Sequence, residues 1–231
     1  MPSQSGHNAT VVRGLAVIVL GIVLAGVALS AASAATVRPL TKVQRSAVIR
    51  AHEYHAGCPV RPAQLRVLSV RYYGFDRRTH RGRLIVNVRV AHGLARVFAR
   101  LYAIRFPIHH LELADNYGPV HARPADGDFT ASFECREASS SPCTRTANGT
   151  TGGWSEHAYG EAVDLNPVEN PYVGCGMTRS KITLAYVDRS HYRRGMINAA
   201  VVRAFGAIGW GWGGSWSGST KDYMHFSANG H

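Results

Sequence analysis

The chain has 231 residues, 17% charged and 45% hydrophobic, a balance that excludes an intrinsically disordered chain and a multi-span membrane protein and fits one ordinary domain. Lys+Arg total 26 against 14 Asp+Glu, and only Lys42, Lys181 and Lys221 are lysines, so the formal charge of +12 is almost wholly guanidinium. Such a polycation attracts nucleic acid, anionic lipid or an acidic cell envelope, and charge alone does not choose among them.

The N-terminus supplies the choice. Residues 1–13 are polar with one cation, Arg13; Leu15 to Ser30 is apolar; and Ala32-Ser33-Ala34 is a small-x-small cleavage pattern. Residues 1–34 therefore read as a secretory signal peptide, with an uncleaved spanning anchor as the competing reading. Only Arg13 is lost on cleavage, so about +11 stays with the exported part. Nucleic acid falls as a partner, and an anionic wall or membrane surface rises.

Downstream, Val43, Ala47, Ile49 and Tyr54 at near-helical spacing predict an amphipathic helix over 41–56, ending at Gly57. Residues 35–57 form an N-terminal helical segment ahead of a domain over 58–231. Alternation with β-branched residues predicts two antiparallel strands, Leu65 to Tyr73 and Leu84 to Val90, joined by a loop containing Gly74, Asp76 and Gly82. Leu94, Val97, Phe98, Leu101, Tyr102 and Ile104 mark a helix that stops before Pro107 and packs on the sheet. Ile108 to Leu113 reads as a strand in which His109 and His110 face opposite ways, and Asp115 to Gly153 as a long loop. A short strand at Ala162 to Leu165, a helix at Met196 to Ile208 and a closing strand at Met224 to Ser227 complete an α+β order with a small antiparallel sheet and flanking helices.

Four cysteines, Cys58, Cys135, Cys143 and Cys175, suit disulfides in an oxidising compartment. Three pairings exist; proximity along the chain favours Cys135 with Cys143 and Cys58 with Cys175. No CxxC pair is present, which disfavours a zinc knuckle or a thioredoxin-type centre.

Most of the 12 histidines have ordinary surface readings. His52-Glu53-Tyr54-His55 lacks the two residues a metalloprotease helix needs between Glu and the second His, and reads as a solvated helix face. Gly209-Trp210-Gly211-Trp212-Gly213-Gly214 lacks the ending of a phosphate loop; core packing and glycine-aided close approach explain its tryptophans as well as cleft lining does. One constellation stands apart: Ser155-x-His157-x-x-Gly160-x-Ala162-x-Asp164, followed by Asp222-x-x-His225. A catalytic zinc commonly takes three protein ligands and keeps a position for water, and His157, Asp164 and His225 would complete a His2Asp site. Asp222 is left over, placed to remove a proton from that water and pass it to a leaving amine. Gly160 would let the chain turn between the first ligand and the strand carrying the second.

This pattern resembles the zinc D-Ala-D-Ala carboxypeptidase and L-alanyl-D-glutamate endopeptidase family of bacterial cell-wall peptidases. Ser155, His157, Gly160, Ala162, Asp164, Asp222 and His225 match its signature. Similarity extends to Phe133-x-Cys135-Arg136, to Asn166-Pro167-x-x-Asn170-Pro171-Tyr172 and to Gly209-Trp210-x-Trp212-Gly213-Gly214-x-Trp216, and upstream to Cys58-Pro59, Gly74-Phe75-Asp76 and Arg105-Phe106-Pro107-Ile108.

The resemblance implies a hedgehog/D,D-peptidase-like fold. It further implies Zn2+ on His157, Asp164 and His225; Asp222 as general base and acid; Arg136 as the cation that orients the scissile carbonyl or stabilises its oxyanion; and Ser155 as a substrate contact. The implied substrate is a peptidoglycan stem peptide, and the implied protein a bacterial exported monomer, secreted or held at the envelope. Asp222 stands where many carboxypeptidase members carry Glu, which leans toward the endopeptidase branch. The stretch Glu137 to Thr151 differs from the simplest members and falls at the expected substrate entrance. Two rivals come from other classes: a non-catalytic module that keeps the zinc scaffold, against which Asp222 argues, and a polyanion binder, which explains the charge but not the motif.

Overall fold

The computed structural model describes Met1, residues 35–141, Cys143, residues 149–178 and residues 180–231; apart from Met1, the expected signal peptide over residues 1–34 lies outside the described residues. Among them no helix is long and apolar enough to cross a membrane.

β1 (Thr36–Pro39) leads into α1 (Lys42–Arg50), whose N-cap Thr41 and Gln44 form a reciprocal capping box. The predicted apolar stripe of this helix is not its buried face. Val43 and Ile49 are 75% and 53% exposed, Val48 is the residue that packs inward, and the helix stops at the Ala51 cap. His52 therefore adopts φ 60° beyond the helix, and the expected solvated helix face over His52 to His55 does not form. Glu53 turns partly inward instead; burial, then the neighbouring Glu134 charge, pushes its carboxyl up to about 7.

The central hairpin follows the predicted alternation. β2 (Leu65–Gly74) pairs antiparallel with β3 (Thr79–Asn87), and β1 adds to the other edge of β2. The connection is tighter than expected, because Gly82 belongs to β3, where a Cβ would strike the Leu111 carbonyl. Period-two spacing sends Leu68, Val70, Leu84 and Val86 to one face and Leu65, Val67 and Ile85 to the other, and both faces are buried. α2 (Ala91–Ala103) lays Leu94, Val97, Phe98 and Leu101 on the first face, each contributing about 1.5–3 kcal/mol by burial. Leu40, Val48, Val60, Tyr117 and Phe133 fill the second.

The strand expected over Ile108 to Leu113 shrinks to β4 (Pro107–Ile108), which pairs parallel with β2. The His109 and His110 rings stack, centroids 5.4 Å apart, rather than pointing to opposite faces, because the chain has already left the sheet. The long loop is also more structured than expected. It carries α3 (Leu113–Tyr117) and then β5 (Glu137–Ser139) paired with β6 (Thr150–Trp154).

α4 (Glu156–Tyr159) follows directly, then β7 (Ala162–Asp164), and β8 (Tyr172–Gly174) turning into β9 (Met177–Thr178). α5 (Ala199–Gly206) begins where the Asn198 side chain accepts from the Ala200 and Val201 amides, three residues later than its apolar run suggested. β10 (Gly211–Trp212), β11 (Lys221–Asp222) and β12 (His225–Ser227) close the chain. Two three-stranded antiparallel sheets result, β10-β12-β7 and β11-β8-β9, so the expected α+β fold is present as several small sheets rather than one.

The disulfides are Cys58–Cys135 and Cys143–Cys175, not the pairs that chain proximity suggested. Packing decides: Cys58 and Cys135 meet in the second core, where the Cys135 amide donates to the Glu53 carbonyl. Cys143 instead reaches the turn between β8 and β9, and the neighbouring Ser141 hydroxyl meets that of Thr220 at 2.7 Å. By loop closure alone the two bridges are worth about 4–5 and about 3–4 kcal/mol, respectively.

Candidate active site

A single helical turn carries the first candidate ligand. Ser155 is its N-cap, its hydroxyl accepting the His157 amide at 3.3 Å, and Gly160 ends it at φ 68°. The end of β3 clamps this turn, since the Asn87 amide donates to the Gly160 carbonyl and Asn87 Nδ2 to the Tyr159 carbonyl. A Cβ on Gly160 would lie 2.8 Å from the Asn87 amide nitrogen. We expect Gly160→Ala to cost more than about 1 kcal/mol in chemical denaturation, from positive φ and this clash together; a stability equal to wild type would refute the clamp.

The other two candidates face each other across a strand pair. β12 pairs antiparallel with β7 and sets His225 directly opposite Asp164. Packing fixes β12 from behind, where the Phe226 ring stacks on Phe205 of α5 at 3.8 Å. His157 Nε2, Asp164 Oδ1 and His225 Nδ1 then form a triangle with edges of 3.2, 3.0 and 3.2 Å.

Proton positions in this triangle follow from the outer partners. His157 Nδ1 lies 2.5 Å from the Ser132 carbonyl, which can only accept, so Nδ1 bears the hydrogen and Nε2 presents a lone pair. His225 Nε2 likewise faces the His231 backbone oxygen at 3.2 Å, leaving Nδ1 bare. Three lone-pair donors thus converge with no hydrogen among them. Tetrahedral zinc with bonds of about 2.0–2.2 Å sets its ligands about 3.3–3.6 Å apart, so the triangle fits that ion within a few tenths of an ångström. Burial alone would raise the Asp164 carboxyl, but the adjacent imidazoles outweigh it and hold it well below the usual range. Burial would lower His157, and Asp164 reverses that shift.

These three side chains open into a cleft of about 500 Å³ that Arg136, Ser155 and Asp222 also line. All six residues singled out from sequence therefore meet in one place. Arg136 is anchored by its Nε to Glu134 Oε2 at 2.9 Å, and its backbone carbonyl takes the Ser155 amide. Burial would weaken its charge, but Glu134, Asp164 and Asp222 together raise its affinity for the proton. Asp222 arrives on β11, opposite Tyr172 of β8, with Gly213 packed so closely that a Cβ there would clash with the Asp222 backbone.

The tryptophans divide. Trp210 is core, Trp212 donates to the Tyr223 carbonyl, and Trp216 lines the cleft 5.9 Å from the His225 ring. Sequence reasoning missed Trp154 and Thr220 on the cleft wall, and Ser132 and His231 behind the ligands. The last two act through backbone oxygens, so no side-chain pattern marks them. Another triad, His55 with Cys58 and Cys135, offers no metal thiolates because both sulfurs are in a disulfide.

Comparison with curated proteins and with solved structures found no match. A family model described as D-alanyl-D-alanine carboxypeptidase matches residues 148–228, which include Ser155, His157, Asp164, Asp222 and His225; Arg136 lies upstream of the match. The matched stretch thus carries most of the cleft lining, including all three members of the His157, Asp164 and His225 triangle, and over residues 148–228 this chain is similar to the D-alanyl-D-alanine carboxypeptidase family.

Proposed function

We propose that the protein is an exported zinc metallopeptidase that hydrolyses an amide bond in peptidoglycan stem peptides. The convergence of His157 Nε2, Asp164 Oδ1 and His225 Nδ1 at 3.0–3.2 Å carries this reading. The chemistry that zinc supplies when bound at these atoms is polarisation of a carbonyl and acidification of a water. Asp222 takes a proton from the attacking water and returns it to the departing amine. Arg136, held by Glu134, meets the negative charge that develops on the carbonyl oxygen. Ser155 offers the substrate its hydroxyl hydrogen, which the cap bond does not use.

Two disulfides and the apolar N-terminus support export, and the excess of arginine favours retention at an anionic wall. Ala138, Ser139 and Ser141 form part of the cleft wall just ahead of the Cys143–Cys175 bridge, so this segment shapes the substrate entrance.

Mass spectrometry of stem peptides incubated with the zinc-loaded protein tests the reading. We expect loss of terminal D-Ala or release of a D-Glu amine, abolition by chelator, and a fall of about 10²–10³ in kcat for Arg136→Ala. Intact peptides after incubation with the metal-replete protein would leave the non-catalytic scaffold as the better account.

A further inference from the structure

A second group of ligating side chains lies outside the cleft: His109, just past β4; Asp128, before the bridge of Phe129 to His110; and Glu169, in the turn between β7 and β8. One ligating atom from each lies within 4.8 Å of the others. The site is built rather than incidental. Asp128 and Glu169 are 1% and 3% exposed, the Asp128 Oδ1 atom is already used by the Val168 amide at 3.0 Å, and its Oδ2 lies 3.7 Å from His109 Nε2.

The decisive observation is Glu169 Oε2, which is fully buried and meets no hydrogen-bond donor. Among the described residues no Lys or Arg pairs with either carboxylate; Arg189 meets Glu169 through its backbone oxygen and spends its other bonds on Tyr186, Asn170 and Ile197. Its position is also constrained, because Glu169 packs against Gly195, where a Cβ would lie 2.8 Å from Glu169 Cγ. Two buried carboxylates side by side with no cation are costly.

We propose that His109, Asp128 and Glu169 bind a second divalent transition-metal cation, separate from the catalytic triad. One imidazole with two carboxylates is a donor set for Zn2+ or Mn2+ rather than for an all-oxygen Ca2+ site. Tetrahedral bonds of about 2.0–2.2 Å set ligand atoms about 3.3–3.6 Å apart, so side chains whose ligand atoms already lie within 4.8 Å of one another close on an ion by a contraction of about an ångström. His109, about one-third exposed, provides the entry path. The cation would tie three segments together behind Asp164. Glu169 lies within the turn in which Asn166 and Asn170 already bond the backbone, and the Asn166 side chain accepts the His109 amide.

Zinc is the probe. After equilibrium dialysis of the complete chain against micromolar Zn2+, elemental analysis should give two ions per wild-type chain and one for Glu169→Gln. Glutamine preserves the shape and supplies a donor to Asp128, so this variant should fold; His109→Ala, at the more exposed ligand, should also lose one. A single ion in wild type that survives Glu169→Gln, or two retained in both variants, would overturn the proposal. The outcome is separable from the catalytic reading. A loss in Glu169→Gln with unchanged stoichiometry in His157→Ala would support this site and sink the other.

Discussion

Asp222→Ala should leave zinc stoichiometry unchanged and lower kcat for stem-peptide cleavage by about 10²–10⁴. The separation of the two effects follows from topology. Asp222 comes from β11, in the sheet of β8 and β9, whereas Asp164 and His225 belong to the β7–β12 pair, so its removal does not disturb the triangle of donor atoms. Asp222→Asn should lose as much, because an amide of the same shape cannot accept the proton. The loss should fall on kcat more than on KM, since a proton acceptor acts as the transition state forms. Wild-type turnover by a zinc-replete Asp222→Ala protein would remove this residue from the mechanism.

His157→Ala should abolish both metal binding at the triad and hydrolysis, the contrast that distinguishes a ligand from a base. Its ring is 2% exposed and held by the Ser132 carbonyl, which a hydroxyl bond from Ser132 Oγ to the Ala162 carbonyl helps to seat. Such an orienting partner is what a catalytic imidazole ligand requires. Truncation leaves a cavity and an unpaired buried carbonyl, so the variant should also lose stability, by about 2–4 kcal/mol. Elemental analysis and denaturant titration on the same preparation read both effects. Full activity with one fewer ion would show that the chemistry does not run through this triangle.

What was legible in the sequence was whatever a side-chain period or a fixed spacing encodes. The β2–β3 hairpin and α2 were readable because each buries a regular stripe, and Ser155, His157, Asp164 and His225 because one helical turn, one glycine and one strand pair bring them together, whereas Arg136 was legible only through the family resemblance. Elements of two to five residues left no period to read, which is why Leu113–Tyr117 and Glu137–Ser139 were hidden inside an apparent loop. α1 misled because Val43 and Ile49 of its regular spacing face solvent, while Val48, outside that spacing, is the residue of the helix that is buried. The disulfides were unreadable for a different reason: closeness in the chain says little once a 77-residue separation is folded across the second core. The asparagines of Asn166-Pro167-x-x-Asn170-Pro171 matched the family pattern without an evident purpose. Asn170 Nδ2 binds three carbonyls, those of Leu165, Asn166 and Gly195, and so fixes the exit of the chain from Asp164.

The direct opposition of Asp164 and His225 across two short strands has an outcome beyond chemistry. Side chains on a strand alternate, so a slip by one position would turn the carboxylate and the imidazole to opposite sides and leave no common vertex for an ion. Metal capture at this centre would then act as a check on correct assembly: a misaligned chain could be well packed and still come out empty.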